Sequence, residues 1–222
     1  MPVAWRSLQS WQKLTITVEG GPAGKETLAC MSAWLREQSQ ENARVAADMM
    51  DTAVDGYLRE QDLVQVLGED VIDGEDDVGL LFGRAKRGES SKTGRGQGVV
   101  MDEPWTKEIL RRRAQECGAR GRIFNITADV YRQWWYKAAE AVVGSREEVG
   151  PPHTARHTGP SCDLSTKFRT LDEIMKRGRW KAINSVHRYA KPHAWLAACA
   201  NQSDEVRAKG RAILAARGSR VN

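Results

Sequence analysis

Residues 153–189 read HTARHTGPSCDLSTKFRTLDEIMKRGRWKAINSVHRY, and this stretch carries the most specific pattern in the chain. His153 and Arg156 are three residues apart, so on a helix they share one face and can address the same anionic group. The guanidinium of Arg156 offers a planar fork of donors that fits two oxygens of a phosphate. Trp180 follows 24 residues after Arg156, and Tyr189 follows nine residues after Trp180. We therefore expect the phenol of Tyr189 to lie beside this anion site.

The length and composition are those of an ordinary globular domain. With 222 residues, 41% of them hydrophobic and 28% charged, the chain can bury one sizeable core, with room for a short appendage. No apolar run is long enough to span a bilayer, and the N-terminal residues lack the apolar core of a secretory signal. The cysteines are scattered and have no metal-ligand spacing, so a reduced, intracellular setting is the simplest interpretation: Cys30, Cys117, Cys162 and Cys199.

The net charge of +5 is a weak indication of a polyanionic partner, because many basic proteins bind nothing special. The distribution of charge is more informative. Residues 51–78 are strongly acidic, whereas residues 84–95 and 169–188 are basic. Basic residues gathered into segments suit the neutralisation of phosphates. Composition alone leaves nucleic-acid binding about as probable as its absence.

The apolar spacing predicts a mainly α-helical chain with one small antiparallel sheet. Short apolar runs at 78–84 and 97–101 flank a segment rich in Gly, Ser, Lys and Arg, which is the pattern of a hairpin with a long basic tip. That tip is either a solvated loop or one that faces a polyanionic partner. The acidic residues 68–77 before the hairpin are expected to form a loop. Helices are predicted over residues 27–38, 39–50 with a continuation toward 56, 58–67, 104–117, 127–143, 153–161, 170–178, 183–189 and 203–217.

The order of these residues resembles the catalytic domain of the tyrosine recombinases, the phage-type integrases related to type IB topoisomerases. The resemblance rests on His153-x-x-Arg156, on Trp180 and Tyr189 nine residues apart, and on phrases RHTGPS, RTLDEIMKRGRW and SVHRYAK that look like variants in mobile elements of algal and protist genomes. It covers residues 27–200, which leaves 1–26 as an N-terminal segment or linker and 201–222 as a C-terminal helical tail. It implies an α+β fold of the DNA breaking-rejoining kind.

The family also has an upstream arginine after a turn, followed three residues later by an acid. Arg59 and Asp62 match those positions, although Glu60 and Gln61 stand where smaller residues are usual. A lysine is expected in the hairpin, and Lys92 has the spacing seen in relatives, with Lys86 as the alternative. The resemblance thus assigns the following catalytic residues: Arg59, Lys92, His153, Arg156, Trp180 and Tyr189.

The expected reaction is attack of the Tyr189 phenol on a DNA phosphodiester to give a 3′-phosphotyrosine. Arg59 and Arg156 would stabilise the charge on the nonbridging oxygens, and Trp180 could donate its indole N–H there. His153 could donate a hydrogen bond or move the phenol proton, because a free phenol with a pKa near about 10 is mostly protonated at neutral pH. Lys92 could protonate the leaving 5′-oxygen. The reaction needs no metal, cofactor or ATP.

Each of these residues also has a plainer interpretation. Tyr189 could be a half-buried helix tyrosine, His153 a residue at a helix start, and Trp180 part of the core. We expect His157 to be structural, and His187 and His193 to be exposed. The aromatic residues 131–136 are expected to pack in the core rather than to stack on bases.

The resemblance implies double-stranded DNA as the partner and DNA-induced assembly into dimers or tetramers, with the C-terminal tail docking on a neighbouring subunit. Family members usually carry an N-terminal DNA-clamping domain, which residues 1–26 are too short to supply. Three functions stay open: a recombinase or integrase of a mobile element, a topoisomerase-like relaxing enzyme, and a non-catalytic DNA-binding remnant. The compartment would be the nucleus in a eukaryote, and otherwise the cytoplasm or nucleoid.

Overall fold

A computed structural model of the chain describes residues 20–84, 87–88 and 96–219. The helices are α1 (Lys25–Glu37), α2 (Glu41–Gly56), α3 (Glu60–Leu63), α4 (Pro104–Cys117), α5 (Ala128–Val143), α6 (Arg146–Val149), α7 (Thr154–Ser165), α8 (Leu171–Arg177), α9 (Ile183–Tyr189), α10 (Pro192–Ala200) and α11 (Asp204–Ala216). The strands are β1 (Val71–Asp73), β2 (Val78–Phe82) and β3 (Gln97–Val100). This is the predicted architecture, mainly helical with a small antiparallel sheet.

The three strands form one sheet in the order β1-β2-β3, and both pairings are antiparallel. Leu80 in the central strand lies opposite Val71 on one side and Val99 on the other. The side chains of Val78, Leu80 and Phe82 are buried and alternate with half-buried neighbours, so one face of the sheet covers the core. The predicted hairpin is confirmed in its two strands, whereas β1 lies in the stretch that was expected to be a loop.

The core is formed by α1, α2, α4 and α5 together with the inner face of the sheet. Trp135 is fully buried, and its indole N–H donates to the carbonyl of Gly150 at 2.8 Å. Tyr131 is also buried, while Trp134 and Tyr136 are half-buried against the same cluster. The aromatic run therefore packs in the core, as predicted.

Most helix ends follow the signals in the sequence. Proline begins α4, Thr127 accepts a hydrogen bond from the Val130 amide at the start of α5, and Thr170 forms a capping box with Glu173 before α8. The prediction of a helix over residues 58–67 is wrong, because α3 ends at Leu63 and Leu67 then pairs with Arg122 in an isolated bridge. Helices α6 and α10 were not predicted.

The C-terminal helix α11 packs against α1 of its own chain. A Cβ on Gly210 would approach the backbone of Glu26 to 2.5 Å, so the two helices touch through this glycine. The side chain of Gln202 donates to Thr27 at 2.8 Å, and Arg217 lies 3.2 Å from Asp51. The tail is thus part of the packing of the single chain. Within the described part of the chain, no helix combines the length and apolar character needed to cross a membrane.

Candidate active site

The turn between α2 and α3 positions Arg59. Tyr57 ends α2 in the left-handed conformation with φ of 52°, and Arg59 is the N-cap of α3. The backbone amide of Arg59 donates to Oδ2 of Asp62 at 3.3 Å, and its Nη1 lies 3.7 Å from the same oxygen. The two upstream residues predicted from the resemblance are therefore in contact.

Arg156 lies on α7 and is completely buried. Its Nη2 donates to the carbonyl of Gly178 at 2.9 Å, and its Nη1 donates to the carbonyl of Tyr57. Its Nε has no hydrogen-bond partner. Two main-chain carbonyls from distant parts of the chain thus fix this guanidinium and leave its Nε without a partner.

Trp180 follows α8 and lies against Gly178. A Cβ on Gly178 would come within 1.9 Å of the Trp180 ring, so only glycine allows this placement. The ring stacks on Tyr189 with a centroid separation of 4.9 Å, and the Cζ of Arg156 lies 4.8 Å from the ring centre. The indole nitrogen is buried without a hydrogen-bond partner. Trp180 therefore packs and still has a donor to offer.

Tyr189 is the last residue of α9, and its ring is half-buried. The phenol oxygen lies 3.3 Å from Nε2 of His153, the N-cap of α7. The Cζ of Arg156 lies 5.2 Å from the centre of the phenol ring. The main chain is anchored by Ser161, whose hydroxyl donates to the Tyr189 carbonyl at 2.9 Å and accepts from the Lys191 amide at 2.8 Å. The phenol of Tyr189 thus lies beside His153 and Arg156.

His157 forms one wall of this site. Its ring stacks on the Tyr189 ring at 4.7 Å and meets the His153 ring edge-on at 5.3 Å. Burial, with smaller effects of the charges of His153 and Lys191, lowers the pKa of His157 to about 4. A ring that is neutral at physiological pH fits a packing role beside the phenol. His187 and His193 are exposed, as expected.

Positive charge is concentrated around Arg156. Burial and the nearby charges of Arg59 and Arg179 lower the pKa of Arg156 to about 9. Burial likewise lowers the pKa of Arg179, opposed by its ion pair with Asp62. Buried donors without a hydrogen-bond partner gather on these residues: Nη1 of Arg59, Nε of Arg156, Nε and Nη1 of Arg179, and Nε1 of Trp180. An oxyanion would satisfy such donors and offset the mutual repulsion of the guanidiniums.

Sequence reasoning missed two residues of this site, Tyr57 and Arg179. The Tyr57 hydroxyl donates to the carboxylate of Asp163, its ring stacks on Trp180 at 6.4 Å, and its carbonyl holds Arg156. A Cβ on Gly159 would meet the Tyr57 ring at 2.5 Å, so this glycine lets α7 approach. These contacts join residues about a hundred positions apart, and no local pattern marks them.

The structure brings five of the six predicted catalytic residues into one cluster: Arg59, His153, Arg156, Trp180 and Tyr189. Lys92 and its alternative Lys86 lie outside the described residues. Strands β2 and β3, which flank that segment, are in place. Among residues 20–84, 87–88 and 96–219, no three His, Cys, Asp or Glu side chains form a group that could hold a metal ion.

No protein-family model and no curated protein matches the chain. Solved structures of similar fold do. The XerH site-specific recombinase bound to a palindromic difH substrate aligns with a TM-score of 0.57 at 14% identity over 81% of this chain and 53% of that one. The pre-cleavage complex of the same recombinase with difH aligns with a TM-score of 0.56 at 16% identity, over 80% of this chain and 53% of that one. The integrase of the Tn1549 transposon, in complex with transposon right-end DNA, aligns with a TM-score of 0.53 at 14% identity, over 84% of this chain and 63% of that one.

The chain has the fold of the tyrosine recombinase catalytic domain. It spans about half the length of the XerH chains and somewhat less than two thirds of the Tn1549 integrase fragment. At such low identity the likeness shows the fold, and a shared fold does not by itself imply a shared activity.

Proposed function

We propose that this protein is a DNA strand-transferase, a site-specific recombinase or integrase of a mobile element that cuts DNA through Tyr189. The observation that carries the proposal is the position of the Tyr189 phenol, 3.3 Å from His153 and beside a buried guanidinium with an unused donor. The structural neighbours are recombinases and an integrase solved with DNA, which supports duplex DNA as the partner.

The proposed step forms one bond and breaks one. The phenol oxygen of Tyr189 bonds to the scissile phosphorus while its proton passes to Nε2 of His153, and the bond from phosphorus to the 5′-oxygen breaks. The leaving oxygen takes a proton and departs as a 5′-hydroxyl. The product is a 3′-phosphotyrosine, which a second 5′-hydroxyl attacks in the reverse sense. Because the phosphoester bond is conserved, the exchange consumes no ATP.

Arg59 and Arg156 act on the phosphate rather than on the phenol. Attack on a phosphodiester builds negative charge on the nonbridging oxygens, and fixed donors aimed at those oxygens stabilise it without reorganisation. Arg156 is already held by two carbonyls, and its free Nε fits this role. Trp180 can add one neutral N–H bond from its unpartnered indole nitrogen.

Lys92 is proposed as the acid for the leaving oxygen, with Lys86 as the alternative. A DNA strand with sulfur in place of the bridging 5′-oxygen separates the two, because a thiolate leaves without protonation. Replacing the correct lysine by alanine should slow cleavage of ordinary DNA and spare the sulfur substrate. The other lysine's variant should cleave both substrates at the wild-type rate.

The proposal is tested by trapping the covalent adduct. Because the target sequence is unknown, the substrate is a pool of randomised duplexes nicked close to many positions, so that cleavage releases a short fragment and prevents resealing. We expect wild type to form a protein–DNA adduct that survives denaturant, and Tyr189→Phe to form none. Tyr136→Phe is the matched control, because Tyr136 is the other tyrosine with a partly accessible side chain. An adduct that persists in Tyr189→Phe contradicts the proposal, as does the absence of any adduct in wild type.

The trapped duplexes also supply the target sequence. With that sequence in a plasmid, relaxation without joined products would indicate a topoisomerase-like enzyme.

A further inference from the structure

We infer that Arg179 is a third guanidinium of the phosphate pocket, donating through Nε and Nη1 to a nonbridging oxygen of the scissile phosphate. The inference rests on the proposed function, since it assigns a further group to the same site. Arg179 was not among the residues that the sequence predicted.

The side chain of Arg179 is almost completely buried, yet much of its hydrogen-bonding capacity is unused. One nitrogen, Nη2, donates to Oδ2 of Asp62 at 2.6 Å. The Cζ lies 4.2 Å from the centre of the Phe82 ring, which fixes the plane of the guanidinium. Nε and Nη1 have no hydrogen-bond partner. Buried charged donors of this kind are costly unless a ligand completes them.

The backbone of Arg179 adopts a conformation that is unusual for an arginine. Its φ is 57°, in the left-handed region that non-glycine residues seldom occupy. Glycine would fit there without strain, so the fold itself does not call for an arginine. A strained backbone that carries a buried, half-satisfied cation is characteristic of a functional position.

Asp62 aligns Arg179 with the predicted site. The same carboxylate oxygen accepts from the Arg59 amide and from Nη2 of Arg179, and it lies 3.7 Å from Nη1 of Arg59. Arg156 lies beside them, because its Nη2 donates at 2.9 Å to the carbonyl of Gly178, in the peptide bond that leads to Arg179, and its Cζ lies 4.8 Å from the centre of the next residue's ring, Trp180. Three positive charges and the one negative charge of Asp62 leave two net positive charges. A five-coordinate phosphorane formed from a phosphodiester carries two negative charges, which this excess of positive charge stabilises.

The test uses the whole protein and inorganic phosphate, and it needs no DNA cleavage. Proton–nitrogen NMR spectra of the arginine Nε–H groups, assigned through bonds from the backbone amides, are recorded during a phosphate titration. We expect the signals of Arg179 and Arg156 to shift together with a single dissociation constant. The signal of Arg113 is the internal control, because its buried Nε already donates to Asp48 at 2.7 Å, and it should not shift. In Arg179→Lys the affinity for phosphate should fall at least about fivefold, since a lysine cannot supply the fork.

The possible outcomes separate this inference from the proposed function. A shift of Arg156 without a shift of Arg179 overturns the role of Arg179 and leaves the role of Tyr189 untouched. If neither signal shifts, the pocket does not bind phosphate and the inference fails as well. Conversely, a wild-type protein that forms no DNA adduct contradicts the proposed function, while the titration still decides whether Arg179 binds phosphate.

Discussion

The phenol oxygen of Tyr189 and Nε2 of His153 lie 3.3 Å apart, although 36 residues separate them in the chain. The distance is slightly longer than that of a usual hydrogen bond. In the proposed reaction the proton of the phenol passes to this nitrogen, so the contact places the proton donor beside the proton acceptor.

Replacing His153 should therefore slow adduct formation. We expect His153→Ala to reduce the rate by about 10²–10⁴-fold, the range that a positioned acid or base usually contributes. His153→Gln retains a hydrogen-bonding group and should be less impaired. His187→Ala, at an exposed position near Tyr189, is the control and should cleave normally. Equal rates for His153→Ala and wild type would remove the histidine from the mechanism.

Tyr57 is expected to stabilise the fold with its hydroxyl and to serve the site with its carbonyl. Tyr57→Phe removes the donor to Asp163, which keeps its ion pair with Arg169. We expect a loss of about 1–3 kcal/mol in the free energy of unfolding, measured with urea. The carbonyl that holds Arg156 remains, so adduct formation should stay within about threefold of wild type. A large rate loss at unchanged stability would contradict this division.

The pKa of His157 predicts a pH dependence of stability. Its value of about 4 in the folded protein lies below that of an unfolded histidine, about 6.5, so between these values the unfolded chain binds more protons. This contribution is fully present above about pH 6.5 and is lost as the pH falls toward about 4. In urea unfolding, wild type should lose more stability than His157→Gln between pH 7 and pH 5. Parallel curves would show that the ring is not buried in its neutral form.

The contact of α11 with α1 predicts an unusual effect of alanine. In most helices Gly→Ala is stabilising by about 0.5–1 kcal/mol. At Gly210 the new Cβ would lie 2.4 Å from the Cβ of Glu26, so we expect Gly210→Ala to lower the melting temperature and to expose residues 203–217 to limited proteolysis. Ala208→Gly, at an exposed position of the same helix, should lower the stability only through the lower helix propensity of glycine. If Gly210→Ala raises the melting temperature, α11 does not pack on α1 in solution.

The same contact bears on the expected docking of the tail on a neighbouring subunit. Removing residues after 196 deletes Gln202 and Arg217, which bind α1 and Asp51 within the chain. The packing of α11 on α1 therefore predicts that this truncation lowers the stability of the monomer. Docking between subunits stays a prediction.

The predictable parts of the fold are those with local signals. Helix α4 was predicted to its ends because proline begins it and the apolar spacing runs to Cys117. Strand β1 was missed because Val71-Ile72-Asp73 lies among acidic residues, and only its pairing with β2 makes it a strand. Helix α10 was missed because most of its residues are apolar, many of them alanine, so the helix has no separate polar face that would give an amphipathic pattern.

The candidate site divides in the same way. His153, Arg156, Trp180 and Tyr189 were predicted because their spacing within 37 residues resembles a family pattern. Tyr57 holds Arg156 through its carbonyl, which any residue has, and Arg179 lies in a left-handed conformation that no sequence pattern indicates. Asp62 was predicted as a partner of Arg59, and the structure adds Arg179 as its second partner.

The central claim is tested most directly by locating the DNA on the protein. Trypsin does not cut before Pro192, so cleavage after Arg188 and Arg207 gives one peptide that begins at Tyr189. After nuclease treatment of the trapped adduct, mass spectrometry should find a nucleotide 3′-phosphate on the phenol of that peptide. A nucleotide on Tyr136, or on a serine, would contradict the assignment of Tyr189 as the nucleophile.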